Sequence, residues 1–259
     1  MVDETQSKYS RIFIAFILYA VIFALLIVQS SFMNLASVAI LYLIIIVIVC
    51  VLRNHESISL KWGPPTLIGV FFGSIMISAI FVVSMLAGWV QILEINSKSA
   101  IIFIEIIVLQ ILVSVGEEIS FREFILRNCM FGMNKVHAII ISSLMFASIH
   151  FFSIMDQRMG IENNIIMFST LFLNGILFAL LYIKYGLYAS MGFHFAWNIL
   201  QYNVFALREG FNSLLELSYQ GSIIFSGGQY GPEAGLIGIL AMGLGIIAVI
   251  LFNKKPDKT

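Results

Sequence analysis

Apolar positions in this chain come in long unbroken runs instead of alternating with polar ones. Eight runs, at 12–29, 35–52, 66–93, 100–121, 138–152, 163–182, 187–207 and 235–252, reach or approach the roughly 20 residues that a helix needs to cross a bilayer core. A lipid-facing strand would alternate with period two, and none of these runs does. The pattern therefore predicts an all-α fold, a polytopic membrane helix bundle of about eight transmembrane helices. The fourth run should continue as helix beyond its apolar part, because FREFILRNC keeps a helical pattern as far as Phe131-Gly132. Gly63-Pro64-Pro65 punctuates the start of the third, since proline belongs in the first turn of a helix and not in its interior. No internal repeat or low-complexity linker is visible, so residues 1–259 read as a single membrane domain with a motif-bearing core at about 100–207.

Composition agrees with the pattern. The 259 residues are 60% hydrophobic and only 11% charged, against about 25% charged in a soluble domain. Fourteen cations balance fourteen anions, which leaves no net field to attract nucleic acid; the bilayer itself is the expected surrounding partner. Where the cations lie is more telling. Ten Lys and Arg fall in the connections on one side, three (Lys98, Arg158 and Arg208) on the other, and Arg122 sits within the fourth run. That asymmetry predicts cytoplasmic termini and an external connection at 208–234. The first run has no convincing cleavage site behind it and is expected to stay as a span. Cys50 and Cys129 form no CxxC and read as apolar filler.

Charge within a span costs at least ~2.5 kcal/mol on insertion scales, so each intramembrane charge is a candidate functional group. The fourth run reads SVGEEISFRE, with Glu117, Glu118, Arg122 and Glu123 together. The fifth ends SSLMFASIH, with His150 one turn after Phe146. The seventh contains GFHFAWN, with His194 and Asn198 one turn apart. A spacing of four puts Glu118 and Arg122 on one helix face, where they can pair, and does the same for His194 and Asn198. Glu117 is turned about 100° away and can present its carboxylate elsewhere. Singly, each has a structural explanation: charges snorkelling at a helix end, a packed histidine, or an interhelical amide. Jointly they are a set for one buried cavity. His55 and His137 read as solvated loop residues, while Glu105 and Gln110 should face neighbouring helices or the interface.

Other intramembrane chemistries find no match. The His55-Glu56 pair has no partner histidine for a zinc site, Asp3, Asp156 and Asp257 all lie outside the runs, and Ser226 falls in the external loop. Carboxylate and histidine chemistry remains.

In their order and spacing, Glu117-Glu118-x-x-x-Arg122, Phe146-x-x-x-His150 and His194-x-x-x-Asn198 resemble the CAAX protease and bacteriocin-processing family, the glutamic intramembrane endopeptidases. The resemblance spans roughly 115–198, and it departs at Glu123, where many members carry glycine. It implies that Glu117, with His150, activates a water, that His194 and Asn198 donate to the oxyanion, and that Glu118 and Arg122 hold the glutamate in place. It also implies a peptide or membrane-protein substrate, no cofactor, and an integral protein of a prokaryotic cell membrane. On the notional spans Glu117 lies near the inner boundary, about 26 Å from Ala100, while His150 stands about 18 Å up from Ala138. For the two to meet, the fourth helix must tilt or sit higher, and the cavity is expected to open to the cytoplasmic leaflet. Three other readings stand beside the peptidase: a catalytically silent membrane partner or immunity protein, a proton-coupled transporter, and a zinc-dependent enzyme with Glu117, His150 and His194 as ligands.

Overall fold

A computed structural model describes residues 2–29, 35–52, 63–96 and 100–252. Helices occupy every predicted run: α1 (Val2–Gln29), α2 (Leu35–Leu52), α3 (Pro64–Leu86), α4 (Ala100–Glu118), α5 (Arg127–Gly132), α6 (Lys135–Ile149), α7 (Phe151–Asp156), α8 (Ile161–Tyr185), α9 (Leu187–Asn198), a single-turn α10 (Ile223–Ser226) and α11 (Leu236–Leu251). Two strands, β1 (Val90–Ile95) and β2 (Leu215–Tyr219), pair antiparallel. Among the described residues, three helices are individually long and apolar enough to cross a membrane, over Tyr9–Val28, Pro64–Leu86 and Ile161–Tyr185. Leu18, Ile45, Ile77, Phe121, Leu177 and Phe193 fill the interior, whereas Phe13, Leu67, Phe71, Leu240 and Leu251 point outward. An exterior this apolar is that of an integral membrane protein.

The fourth helix decides the depth of the site. α4 does not stop at the glutamates; it passes into a π-helical segment, Ile119–Leu126, and then into α5. Glu117 thus lies about 26 Å from the start of a continuous rod and about 22 Å from its end, at 1.5 Å per residue. α6 then returns through 15 residues to the level of His150. Two contacts orient α1 beside this pair: the Arg11 guanidinium lies 4.1 Å from the Phe131 ring at the α5 end, and the Tyr19 hydroxyl bonds Ser148 at 2.7 Å near the other.

The third run was expected to be helical to residue 93, and there the structure differs. α3 ends at Leu86; Gly88 takes a left-handed φ of 69°, and the Gly88 and Trp89 amides cap Met85 and Ser84 carbonyls at 3.1 and 2.9 Å. Glycine past the last turn is the usual stop signal, and Val90–Ile95 goes on as β1, its register with β2 interrupted between Ile92 and Glu94.

α3 packs most closely on α9, and small residues make that possible. A Cβ at Gly69 would lie 2.0 Å from the Ala189 carbonyl oxygen, at Gly73 2.7 Å from that of Phe193, and at Gly192 2.5 Å from that of Thr66. Close helix approach through spaced glycines is a membrane packing device. Gly69→Val is therefore expected to lower stability by about 3 kcal/mol or more, whereas Gly243→Ala, with nothing within 4 Å of the added atom, serves as the neutral control. Thermal unfolding in detergent checks the pair, and equal melting temperatures would mean that α3 and α9 do not depend on contact at Gly69.

Candidate active site

Glu118 is the hub. Its side chain is fully buried and lies 3.3 Å from Arg122 Nε and 3.1 Å from His194 Nδ1, and it accepts the Ser190 hydroxyl. The i, i+4 spacing on the rod sets the first contact; Ser190 and His194, also four apart, bring α9 to the same carboxylate. Arg122 is fully buried too, and its Nη atoms make no hydrogen bond among the described residues. Aromatic faces surround it instead: the guanidinium carbon is 4.5 Å from the Phe146 ring centroid, 5.1 Å from Phe178 and 5.9 Å from Phe121. A ring quadrupole stabilises a cation that has left water, and planar guanidinium suits the geometry.

Glu117 points elsewhere, as the 100° offset requires. One carboxylate oxygen accepts the Tyr42 hydroxyl at 2.5 Å, and the other lies 3.8 Å from His194 Nε2. Glu117, Tyr42 and His150 line one cavity of about 630 Å³ with Leu26, Asp156 and Arg208. His150 sits at the break between α6 and α7, with φ −87° and ψ −2°, a sparsely populated region that active-site residues often adopt. Its Nε2 is buried without a protein partner among the described residues. The His194 ring stacks on Phe178, centroids 4.9 Å apart.

The structure thus joins Glu117, Glu118, Arg122 and His194 directly and places His150 in the same cavity as Glu117. Asn198 is buried one turn beyond His194, and neither of the two is among the residues that line the cavity. Glu123, in the position where the motif departs from glycine, bonds Arg127 at 2.9 Å and the Tyr182 hydroxyl at 2.8 Å, and so ties the rod to α8. Gln110 bonds Asn203 at 3.0 Å, the helix-to-helix role expected of it. His137 is an exposed residue in the first turn of α6, its amide bonded by the Asn134 cap at 2.9 Å, and His55 lies outside the described residues. Cys129 is buried, whereas Cys50 is on the exposed apolar exterior. Among the described residues no group of three or more His, Cys, Asp or Glu is gathered as a metal-ligand set.

Residues 99–200 match the family model described as type II CAAX prenyl endopeptidase Rce1-like. No curated protein matches the chain significantly. All seven residues of the three motifs fall inside the matched stretch, while Tyr42 and Arg208, which share the cavity, fall outside it. Sequence reasoning missed both. Tyr42 did leave a signal, the one aromatic ring in α2, set away from the interfacial belts where tyrosine is common.

One expectation is corrected. The cavity walls include Leu26 near the end of α1, Ser153, Met155, Asp156 and Gln157 in and after α7, and Arg208, so it lies toward the 208–234 connection. That is the side of the connections with three cations, not the side with ten, where the opening is expected from the sequence. The reason is the length of the rod, which places the glutamates midway along it. The 208–234 connection is itself anchored deeply: Glu233 accepts Trp197 Nε1 at 3.1 Å and Gln201 Nε2 at 2.6 Å, and Asn163 donates to the Ala234 carbonyl at 2.8 Å. Tyr219 donates to the Ala206 carbonyl at 2.6 Å, and burial together with nearby Glu209 pushes its phenol up to about 12, which keeps it a donor.

Proposed function

We propose that the chain is an intramembrane peptidase in which Glu117 and His150 activate a water for attack on a peptide carbonyl. The observation that carries this reading is the cavity that holds the Glu117 carboxylate and the unpartnered His150 Nε2 together, inside a stretch that matches CAAX prenyl endopeptidases. A general base must reach the proton it takes and be held in one orientation. Tyr42 supplies that hold, since its hydroxyl fixes one Glu117 oxygen and leaves the other toward His194 and the cavity.

His194 and Asn198, one turn apart on α9, donate to the developing oxyanion in this reading. The His194 ring sets Nδ1 against Glu118 at 3.1 Å and turns Nε2 toward Glu117. Asn198 donates without ionising. Glu118 and Arg122 position the histidine and the rod. Eight crossings with both termini cytoplasmic, in one domain of 259 residues, complete the proposal, and the substrate is a peptide or a membrane-protein segment.

The test uses the purified chain in detergent and a quenched fluorescent peptide library. Cleavage is expected with and without chelator, and Asn198→Ala should lower kcat about 100-fold, the size of one oxyanion donor. Cleavage that stops on addition of chelator would replace this mechanism with a metal-dependent one. Absence of cleavage across the library would favour a silent binding partner.

A further inference from the structure

The side chains on the cavity wall that can donate a hydrogen bond are Tyr42, His150, Ser153, Gln157 and Arg208. Two of them are committed to the backbone: the Ser153 hydroxyl donates to the His150 carbonyl at 2.8 Å, and Gln157 Nε2 to the Ser153 carbonyl at 2.8 Å. Arg208 bonds Tyr202 and also lines a second cavity with Glu209 and Glu216. Tyr42 is the donor bonded to Glu117 itself, at 2.5 Å. His194 and Asn198 approach from α9 and are not on this wall.

The ring has a seat made for it. α2 packs on α4, and the residue before Glu117 is a glycine. A Cβ at Gly116 would lie 2.7 Å from Tyr42 Cδ1 and 3.6 Å from Cε1, so one edge of the ring rests on bare helix backbone and carries its hydroxyl to the next residue. A hydrogen bond to an ionised carboxylate is roughly twice as strong as one to a neutral acceptor. The hold of Glu117 on this hydroxyl therefore lasts only while Glu117 is charged. When Glu117 takes a proton from the attacking water it becomes a neutral acid, and at that moment a new anion forms on the attacked carbonyl. In a near-attack geometry that carbonyl is about 3 to 3.5 Å from the same water. A phenol changes acceptor by rotating about its C–O bond.

We propose that Tyr42 is a catalytic residue whose hydroxyl passes from Glu117 to the tetrahedral oxyanion as the carboxylate is neutralised. The water oxygen forms the new bond to the carbonyl carbon, its proton goes to Glu117, and the carbonyl π pair becomes the oxyanion that accepts from Tyr42. On collapse the C–N bond breaks, the Glu117 proton goes to the departing amine nitrogen, and the Tyr42 hydroxyl, which keeps its own proton throughout, returns to the carboxylate. This inference rests on the peptidase reading of the cavity, and its test separates the two.

Tyr42→Phe keeps the ring in its seat and removes only the hydroxyl, so the full-length variant should melt with wild type. On the best-cleaved peptide of the library its kcat is expected to fall about 100-fold, the size of one oxyanion donor, with KM changed less than about threefold. A group that merely holds Glu117 would also slow the reaction, so a second measurement removes Glu117 from the comparison. The probe is a fluorescein-labelled copy of that peptide in which a phosphinate, PO₂⁻–CH₂, replaces the scissile CO–NH and mimics the tetrahedral anion. Its binding is followed by anisotropy on Glu117→Gln and on Glu117→Gln with Tyr42→Phe. Loss of the hydroxyl should weaken the phosphinate about 10- to 100-fold, as for a hydrogen bond to a charged group, and leave the parent peptide's affinity unchanged. Cleavage by Tyr42→Phe within a few-fold of wild type would overturn the assignment, as would equal phosphinate affinities on the two chains or an equal loss for phosphinate and parent peptide. Wild type that cleaves no peptide at all would instead overturn the peptidase reading, and the role of Tyr42 with it.

Discussion

Glu117→Gln is expected to abolish peptide hydrolysis, by about 10²- to 10⁴-fold, while the chain stays folded. Glutamine keeps the size of the side chain and a carbonyl oxygen that can accept the Tyr42 hydroxyl, bonded at 2.5 Å in the native site. What it cannot do is take a proton from water. Because His194 is held mainly by Glu118, at 3.1 Å against 3.8 Å to Glu117, α9 has no reason to move. Initial rates on a cleaved peptide, paired with a melting curve, check both halves of the expectation. A variant that cleaves within a few-fold of wild type would remove Glu117 from the chemistry and leave His150 as the base.

Arg122→Met should have the largest effect on stability, a loss of about 3–5 kcal/mol. The cation and its Glu118 partner are both fully buried, 3.3 Å apart, and removing one leaves the other charged in a medium that cannot solvate it. Methionine fills space between Phe121, Phe146 and Phe178 but offers Glu118 nothing. Glu118→Gln combined with Arg122→Met should recover much of the loss, since the pair disappears together and only the bonds to Ser190 and His194 remain to be satisfied. Arg122→Lys should not recover it fully, because a compact ammonium cannot lie flat among three rings. Thermal unfolding in detergent decides; a single Arg122→Met variant as stable as wild type would show that the pair is not what holds the rod to α9.

Much of this was legible before any coordinates. Long apolar runs have a single economical solution in lipid, and helices stand where the runs are, α2 with the same bounds. The Glu118–Arg122 pair followed from a spacing of four, and the helical pattern of FREFILRNC correctly carried the rod to Gly132. Other features left weaker traces. Hydrophobicity does not distinguish the end of α3 from β1, so Gly88 was the only punctuation, and it was overrun. The cavity was put on the wrong side because Glu117 looked terminal when only the apolar stretch was counted. Arg208 reads in the sequence as a loop cation, and nothing local foretells that it reaches the cavity wall. Tyr42 reaches Glu117 across 75 positions of sequence, a pairing that only tertiary packing creates.

Two of the three helices that carry the motifs change pitch at them. The rod becomes π-helical at Ile119, directly after Glu118, and α9 does so at Ile199, directly after Asn198. A π turn accommodates an additional residue in one place, and such turns gather at functional sites. For either helix to slide past the other, its wide turn would have to migrate through the chain, breaking and remaking backbone hydrogen bonds in lipid, where none can be lent to water. The two helices therefore behave like a pair of notched rules, with the reacting groups held at matching marks whatever the thickness of the bilayer around them.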